Sequence, residues 1–210
     1  MMVLRKLYLV PFLFYRIWLA GKKYIGDYMP GFLIGKKIST HAIQAGNITP
    51  EIHGLENIPA ENGFMFYPNH QGLYDVLAIL DACPVPFSVV AKKEVGNVPF
   101  LKQVFTCMKA FIMDREDLRQ SMQVINQVAK EVQQGRNYII FAEGTRSKMG
   151  NKLLEFKGGS FKAAQKAKCP IVPCALINSF VPFDENSVRQ VTVKLLYLKP
   201  LYYEEYRHMR

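Results

Sequence analysis

Short apolar runs alternate with helix-like patterns along most of this chain. From residue 51 onward, the stretches GFMFYP (63–68), PFSVVA (86–91), AFIMD (110–114), NYIIFA (137–142), IVPCALI (171–177) and VTVKLLYL (191–198) predict strands. Their nearly continuous apolar character fits strands covered on both faces. Between them, LYDVLAILDA and NVPFLKQVFTCMK predict helices. The strongest helix pattern covers 117–134, where Leu118, Met122, Ile125, Val128, Ala129 and Val132 recur at helical spacing and Gly135 supplies the stop. Strand–helix alternation of this kind predicts one α/β domain with a central, mostly parallel sheet flanked by helices.

The first residues follow a different pattern. MMVLRKLYLVPFLFYRIWLAGKKY sets basic flanks around an apolar, aromatic centre, in which Arg16 is the only charge between Leu7 and Ala20. Fourteen helical residues reach about 21 Å, short of the roughly 30 Å hydrocarbon core, and Pro11 interrupts the middle. Tyr8, Tyr15 and Trp18 among basic residues suit the boundary between headgroups and acyl chains. A second apolar segment, YIGDYMPGFLIGKKI, carries Gly26, Pro30, Gly31 and Gly35 and is expected to be broken there, returning along the same surface. The alternative is a pair of ordinary core helices. The expected organisation is an amphipathic helical segment at the membrane interface over 1–47, followed by the α/β domain over 48–210.

Charge sharpens this picture. The chain has 210 residues and a net charge of +10, so it is drawn to something anionic. Residues 1–37 hold seven Lys/Arg (Arg5, Lys6, Arg16, Lys22, Lys23, Lys36, Lys37) against one acid, Asp27. The positive charge thus clusters beside an apolar anchor, with no nucleic-acid-binding motif, and an anionic lipid surface fits better than nucleic acid. Cys83, Cys107, Cys169 and Cys174 show no C-x-x-C pair and no metal-like spacing with His, which predicts buried, reduced thiols.

In open α/β sheets, sites gather beyond the carboxyl ends of the strands. That rule selects PNHQGLYD, DRED and EGTRS, which together offer a His, several carboxylates and two Arg. His70 and Asp75 read either as a general base with its carboxylate orienter or as a loop His and a helix-start Asp. The chain contains no G-x-S-x-G, no P-loop and no dinucleotide fingerprint, and no Cys lies near a His in sequence. If His70 is a base, direct attack by a substrate hydroxyl is the chemistry left. FAEGTRS sets Glu143, Gly144, Thr145 and Arg146 in one tight loop, where Gly144 allows close approach and Arg146 offers a planar fork for phosphate. The alternative is a turn with a surface salt bridge. FKGGSFKAAQKAK follows, its paired glycines leading into a basic helix whose N-terminal amides could hold an anion; the alternative is that Lys162, Lys166 and Lys168 are simply its solvated face.

Taken in order, His70-x4-Asp75, AKKEV…P…FIMDR, FAEGTRS…FKGG and PIVPCAL resemble the four blocks of the glycerolipid acyltransferases, and most closely the 1-acyl-sn-glycerol-3-phosphate acyltransferase family. The resemblance covers roughly residues 50–200 and makes 48–210 an acyltransferase catalytic domain. It implies that His70 is the general base and Asp75 its orienting partner. It also implies that Glu143, Gly144, Thr145, Arg146, Lys92 and Lys157 bind the substrate, with Arg146 on the phosphate. Val172 and Pro173 would lie near the acyl chain. The implied reaction moves a fatty acyl group from acyl-CoA or acyl carrier protein to lysophosphatidic acid, giving phosphatidic acid, with no metal or redox cofactor. A relative acting on another lysophospholipid or glycerol 3-phosphate, or a non-catalytic lipid-binding protein, is the alternative. The expected location is the cytoplasmic face of a membrane, peripheral or monotopic. Three positions depart from the family pattern. Gly72 stands where Ser is frequent, which predicts a missing hydrogen bond; Ala142 replaces a frequent Pro; and Gly158 replaces a basic residue.

Overall fold

The computed structural model describes residues 11–12, 15–16, 18–19, 29–96, 99–185 and 189–208. Of the expected interfacial segment 1–47, residues 1–10, 13–14, 17 and 20–28 lie outside these residues; 11–12, 15–16 and 18–19 are helical. Among the described residues, no helix is long and apolar enough to cross a membrane.

Helix α1 (Met29–Gly46) runs unbroken through Gly31 and Gly35, where the sequence predicted breaks. Pro30 stands in the first turn, where its missing N–H costs nothing. The two glycines lie one turn apart on one face and admit close neighbours. A Cβ at Gly31 would sit 2.2 Å from the Cys107 carbonyl oxygen, and one at Gly35 would sit 3.2 Å from Leu80 Cδ1. On the same helix Phe32 is buried edge-on against Phe87, with ring centroids 5.6 Å apart. Lys36 Nζ donates to the Cys83 carbonyl at 2.8 Å, and the Ser39 hydroxyl donates to the Leu77 carbonyl.

The sheet consists of β1 (Ile48–His53), β2 (Met65–Pro68), β3 (Ser88–Lys92), β4 (Phe111–Met113), β5 (Tyr138–Ile139), β6 (Ile171–Ile177) and β7 (Val191–Tyr197). Their order is β1-β7-β6-β2-β5-β3-β4. Every neighbouring pair is parallel except β6–β7. Six of the seven strands answer the predicted runs. The seventh, β1, was not predicted: ITPEIH is half polar and carries Pro50, which only an edge strand accommodates.

The central strand β2 explains how the domain is layered. Successive side chains point to opposite faces. Phe64 and Phe66 enter one core with Phe87, Ile139, Val172 and Tyr197, while Met65 and Tyr67 enter another with Val128, Val132 and Tyr138. Helices α1 and α2 (Asp75–Ala82) cover the first face, and α5 (Leu118–Gln133) with α6 (Lys162–Ala167) covers the second. Burying each such Phe stabilises the fold by about 2 kcal/mol. Between β3 and β4 the chain forms α3 (Lys93–Gly96) and α4 (Pro99–Cys107). Short helices α7 (Val181–Asp184) and α8 (Tyr203–Tyr206) complete the domain.

Helix α5 starts where its cap predicts, with the Asp117 side chain accepting from Gln120 N at 2.9 Å. Its apolar stripe is shifted from the sequence reading, because Leu118 is 79% exposed while Val124 is buried. Leu118 is the first residue after the cap. The predicted strand 137–142 pairs only over Tyr138–Ile139, and beyond it the chain bends into the EGTRS loop.

Candidate active site

Five parallel strands share one polarity, so the loops after β2, β4, β5 and β6 meet at one edge of the sheet. His70 lies two residues past β2, and Asp75 is the first residue of α2. His70 Nδ1 is 2.7 Å from Asp75 Oδ2, and the ring stacks on Phe141 with centroids 4.0 Å apart. Of the two readings left open by the sequence, the paired arrangement is the one found. The Asp75 side chain is 0% exposed and the His70 side chain 23%. Among the described residues, no hydrogen bond engages His70 Nε2, so this nitrogen is available to a substrate proton.

A carboxylate buried this completely must recover the solvation it loses. Asp75 Oδ2 accepts from Gln71 N at 2.6 Å as well as from His70, and Gly72 N lies 3.1 Å from both oxygens. Oδ1 also accepts the hydroxyl proton of Ser179, from the loop after β6. The hydrogen bond expected to be missing at Gly72 is therefore supplied from across the site. Residue 72 could not supply it, since a Cβ there would lie 2.7 Å from Phe180 Cα and 3.0 Å from the Ser179 carbonyl oxygen.

Glu143 is buried and uses its two carboxylate oxygens on main-chain donors. Oε1 accepts from His70 N at 2.8 Å and Oε2 from Leu154 N at 3.0 Å. Ser147 N donates to the His70 carbonyl at 2.9 Å, and Lys157 N to the Ala142 carbonyl at 2.8 Å. These bonds lash the 144–157 loop to the His70 loop. Asn69 performs a related task, since its amide exchanges two hydrogen bonds with the main chain of Leu176, at 3.1 and 2.7 Å, and so extends the pairing of β2 with β6.

The cationic residues sit around this buried centre. Gly144 has φ 75°, a conformation suited to glycine. A Cβ there would lie 3.4 Å from Arg115 Nη1 and 3.7 Å from Lys157 Cγ, so Arg115, Gly144 and Lys157 form one cluster. Arg146 Nη1 is 3.5 Å from Asp184 Oδ1, and Thr145 is exposed. Lys92 Nζ pairs with Glu94 at 2.7 Å, and the Glu94 carboxylate also acts on the Arg115 guanidinium. Arg115 was legible in the sequence as part of DRED and FIMDR, with no individual role attached, and Ser179 carried no signal at all.

Burial pushes the Cys83 thiol up to about 11 and the Cys169 thiol up to about 12, and raises those of Cys107 and Cys174 as well. All four are buried thiols outside any disulfide, which leaves them poor nucleophiles. Among the described residues, no group of three or more His, Cys, Asp or Glu is arranged to hold a metal ion.

An α/β domain with a His–carboxylate pair at the carboxyl edge of its sheet and cations close by is equipped for general-base chemistry on an anionic substrate. Residues 49–177 match the family model Acyltransferase, and the chain belongs to that family. It is 33% identical over 147 residues to a 1-acyl-sn-glycerol-3-phosphate acyltransferase of Helicobacter pylori, covering 65% of this chain and 62% of the relative. It is 31% identical over 137 residues to the protein of that name from Borreliella burgdorferi, covering 65% and 54%. The one from Salmonella typhimurium is 29% identical over 178 residues, covering 81% and 72%. The chain thus spans less than two thirds of the length of the first two relatives. Its fold matches the crystal structure of a 1-acyl-sn-glycerophosphate (LPA) acyltransferase from Thermotoga maritima, with a TM-score of 0.76 and 22% identity over 100% of this chain and 90% of that one.

Proposed function

We propose that this protein is a 1-acylglycerol-3-phosphate O-acyltransferase, which moves a fatty acyl group from an acyl thioester to the free hydroxyl of lysophosphatidic acid and yields phosphatidic acid. The observation that carries this reading is the His70–Asp75 pair at 2.7 Å, with Nε2 open, in a member of the acyltransferase family. The names of its relatives support the choice of acceptor.

In this mechanism His70 Nε2 takes the hydroxyl proton as the acceptor oxygen attacks the thioester carbonyl carbon. Asp75 holds the Nδ1–H tautomer and stabilises the imidazolium. The tetrahedral intermediate collapses, the C–S bond breaks, and the leaving thiolate recovers the proton from His70. Arg146 turns from Asp184 to the acceptor phosphate, with Lys157 and Arg115 adding positive charge beside Gly144. The donor is acyl-CoA or acyl carrier protein.

The reading includes a place at the cytoplasmic face of a membrane, on an anionic lipid surface, in a peripheral or monotopic state. Two features support it. Phe12, Tyr15, Trp18 and Leu19 are exposed in the basic leading segment. Met149, Leu153 and Phe156 are exposed among Lys148, Lys152 and Lys157 on the loop lashed to His70. Acceptor and product are both bilayer lipids, so an active site opening beside such a loop meets them where they reside.

Thiol release from acyl-CoA and, separately, from acyl carrier protein tests the reaction, with and without lysophosphatidic acid. Acceptor-dependent release identifies the donor and supports the reading. Release that occurs only with glycerol 3-phosphate or another lysophospholipid overturns the acceptor, and none with any acceptor overturns the enzyme. Co-sedimentation with anionic but not zwitterionic vesicles is expected of the full chain.

A further inference from the structure

We propose that Ser179 is a positioning residue for the catalytic pair, holding the Asp75 carboxylate from the side opposite His70. The proposal rests on the general-base reading of His70 and Asp75 and adds to it a residue from a different part of the chain.

The two oxygens of Asp75 are held by different means. Oδ2 receives His70 Nδ1 at 2.7 Å and Gln71 N at 2.6 Å, both from the loop that leads into α2. Oδ1 receives only Gly72 N at 3.1 Å from that loop, shared with Oδ2, and the hydroxyl of Ser179. Without that hydroxyl, one shared N–H would be all that fixes Oδ1, and rotation of the carboxylate would carry Oδ2 away from the imidazole.

Ser179 is itself well fixed. It is 0% exposed, and its N and Oγ lie 3.2 and 3.0 Å from Gln71 Oε1. A hydroxyl has one proton, and the closer, charged acceptor is Asp75. The Ser179 N–H then serves Gln71, whose Nε2 donates to Asn151 Oδ1 at 2.9 Å. Asn151 Oδ1 also accepts from Asn178 N at 2.8 Å. A side chain at position 72 cannot substitute, because the main chain of Ser179–Phe180 fills the space it would need.

The same segment reaches the other half of the site. Phe180 lies against Gly150, whose added Cβ would meet its ring at 3.5 Å, and Asp184 pairs with Arg146. Residues 178–184 therefore form a strap that joins the loop of the base to the loop of the phosphate-binding arginine.

The test uses the full chain with acyl thioester and lysophosphatidic acid. Ser179→Ala is expected to lower kcat roughly tenfold to a hundredfold with little change in KM for the acceptor, since the residue touches no substrate. The loss should depend on Asp75: in an Asp75→Asn background, Ser179→Ala should cost less than about threefold more. Ser179→Cys keeps the side-chain shape with a weak donor and should reproduce most of the loss, which keeps the test open if the alanine variant misfolds. Wild-type kcat in Ser179→Cys or in folded Ser179→Ala, with His70→Ala inactive, overturns the role of Ser179 alone. So does a loss that is undiminished in the Asp75→Asn background. Full turnover by His70→Ala instead overturns the base itself, and the Ser179 proposal with it.

Discussion

The buried dyad and the cationic rim are made in opposite ways. Around Asp75, four donors converge on two oxygens, none of the carboxylate is exposed, and the partners come from the loops after β2 and β6. At the rim, Arg146 holds Asp184 at 3.5 Å, Thr145 and Lys157 are exposed, and Lys92 is occupied with Glu94. A proton transfer requires one geometry, and displacement of an ångström is costly, so the proposed base is one that is fixed before a substrate arrives. Attraction of a phosphate falls off slowly with distance and tolerates several geometries, so its partners can remain loose. On the proposed reading, rigidity is concentrated where it would change kcat, and the residues assigned to the phosphate are left free to adjust.

The contrast predicts a descending series. His70→Ala should lower kcat by at least about a hundredfold, read as thiol release, while the thermal transition moves little. Glu143→Ala strips acceptors from the main-chain N–H groups of His70 and Leu154 and should destabilise the fold by about 2–4 kcal/mol in denaturant titrations, with kcat falling as the His70 loop loosens. Arg146→Ala should raise KM for lysophosphatidic acid about tenfold and change kcat far less. A comparable fall in kcat at constant KM would assign Arg146 to the rigid half instead. Asp184→Asn removes the carboxylate that competes for Arg146 and should lower the acceptor KM about twofold, within the range of exposed ion pairs. Iodoacetamide at pH 8 should leave turnover unchanged. Burial raises all four thiols, and a raised thiol holds less thiolate at a given pH.

The same contrast explains what was legible in the sequence. The sheet announced itself because β2 and β5 are buried throughout and β3 and β6 are buried or half-buried at every position but Lys92, which keeps their runs mostly apolar. Strand β1 did not, since an edge strand with Pro50 keeps half its residues in water. Three loops of the site were found because polar clusters after apolar runs are conspicuous. The fourth was not, because its working residue is a lone serine 104 positions from its partner. Gly72 looked like a loss along the chain and proved to be the gap through which Ser179 reaches Asp75. Gly31 and Gly35 were read as breaks for a similar reason, since a glycine needed for contact and a glycine that ends a helix are the same letter.

Those two glycines have a mechanical consequence. With the Cys107 main chain seated against Gly31 and Leu80 against Gly35, α1 can neither slide nor roll without a collision. From Met29 onward the chain is thus a rigid mount, and whatever restrains the chain at that point restrains the whole catalytic edge. A flexible tether would raise only the local concentration of the enzyme near a surface. A rigid mount would also fix its tilt, so that on the proposed interfacial reading each encounter would offer His70 to the surface from the same direction.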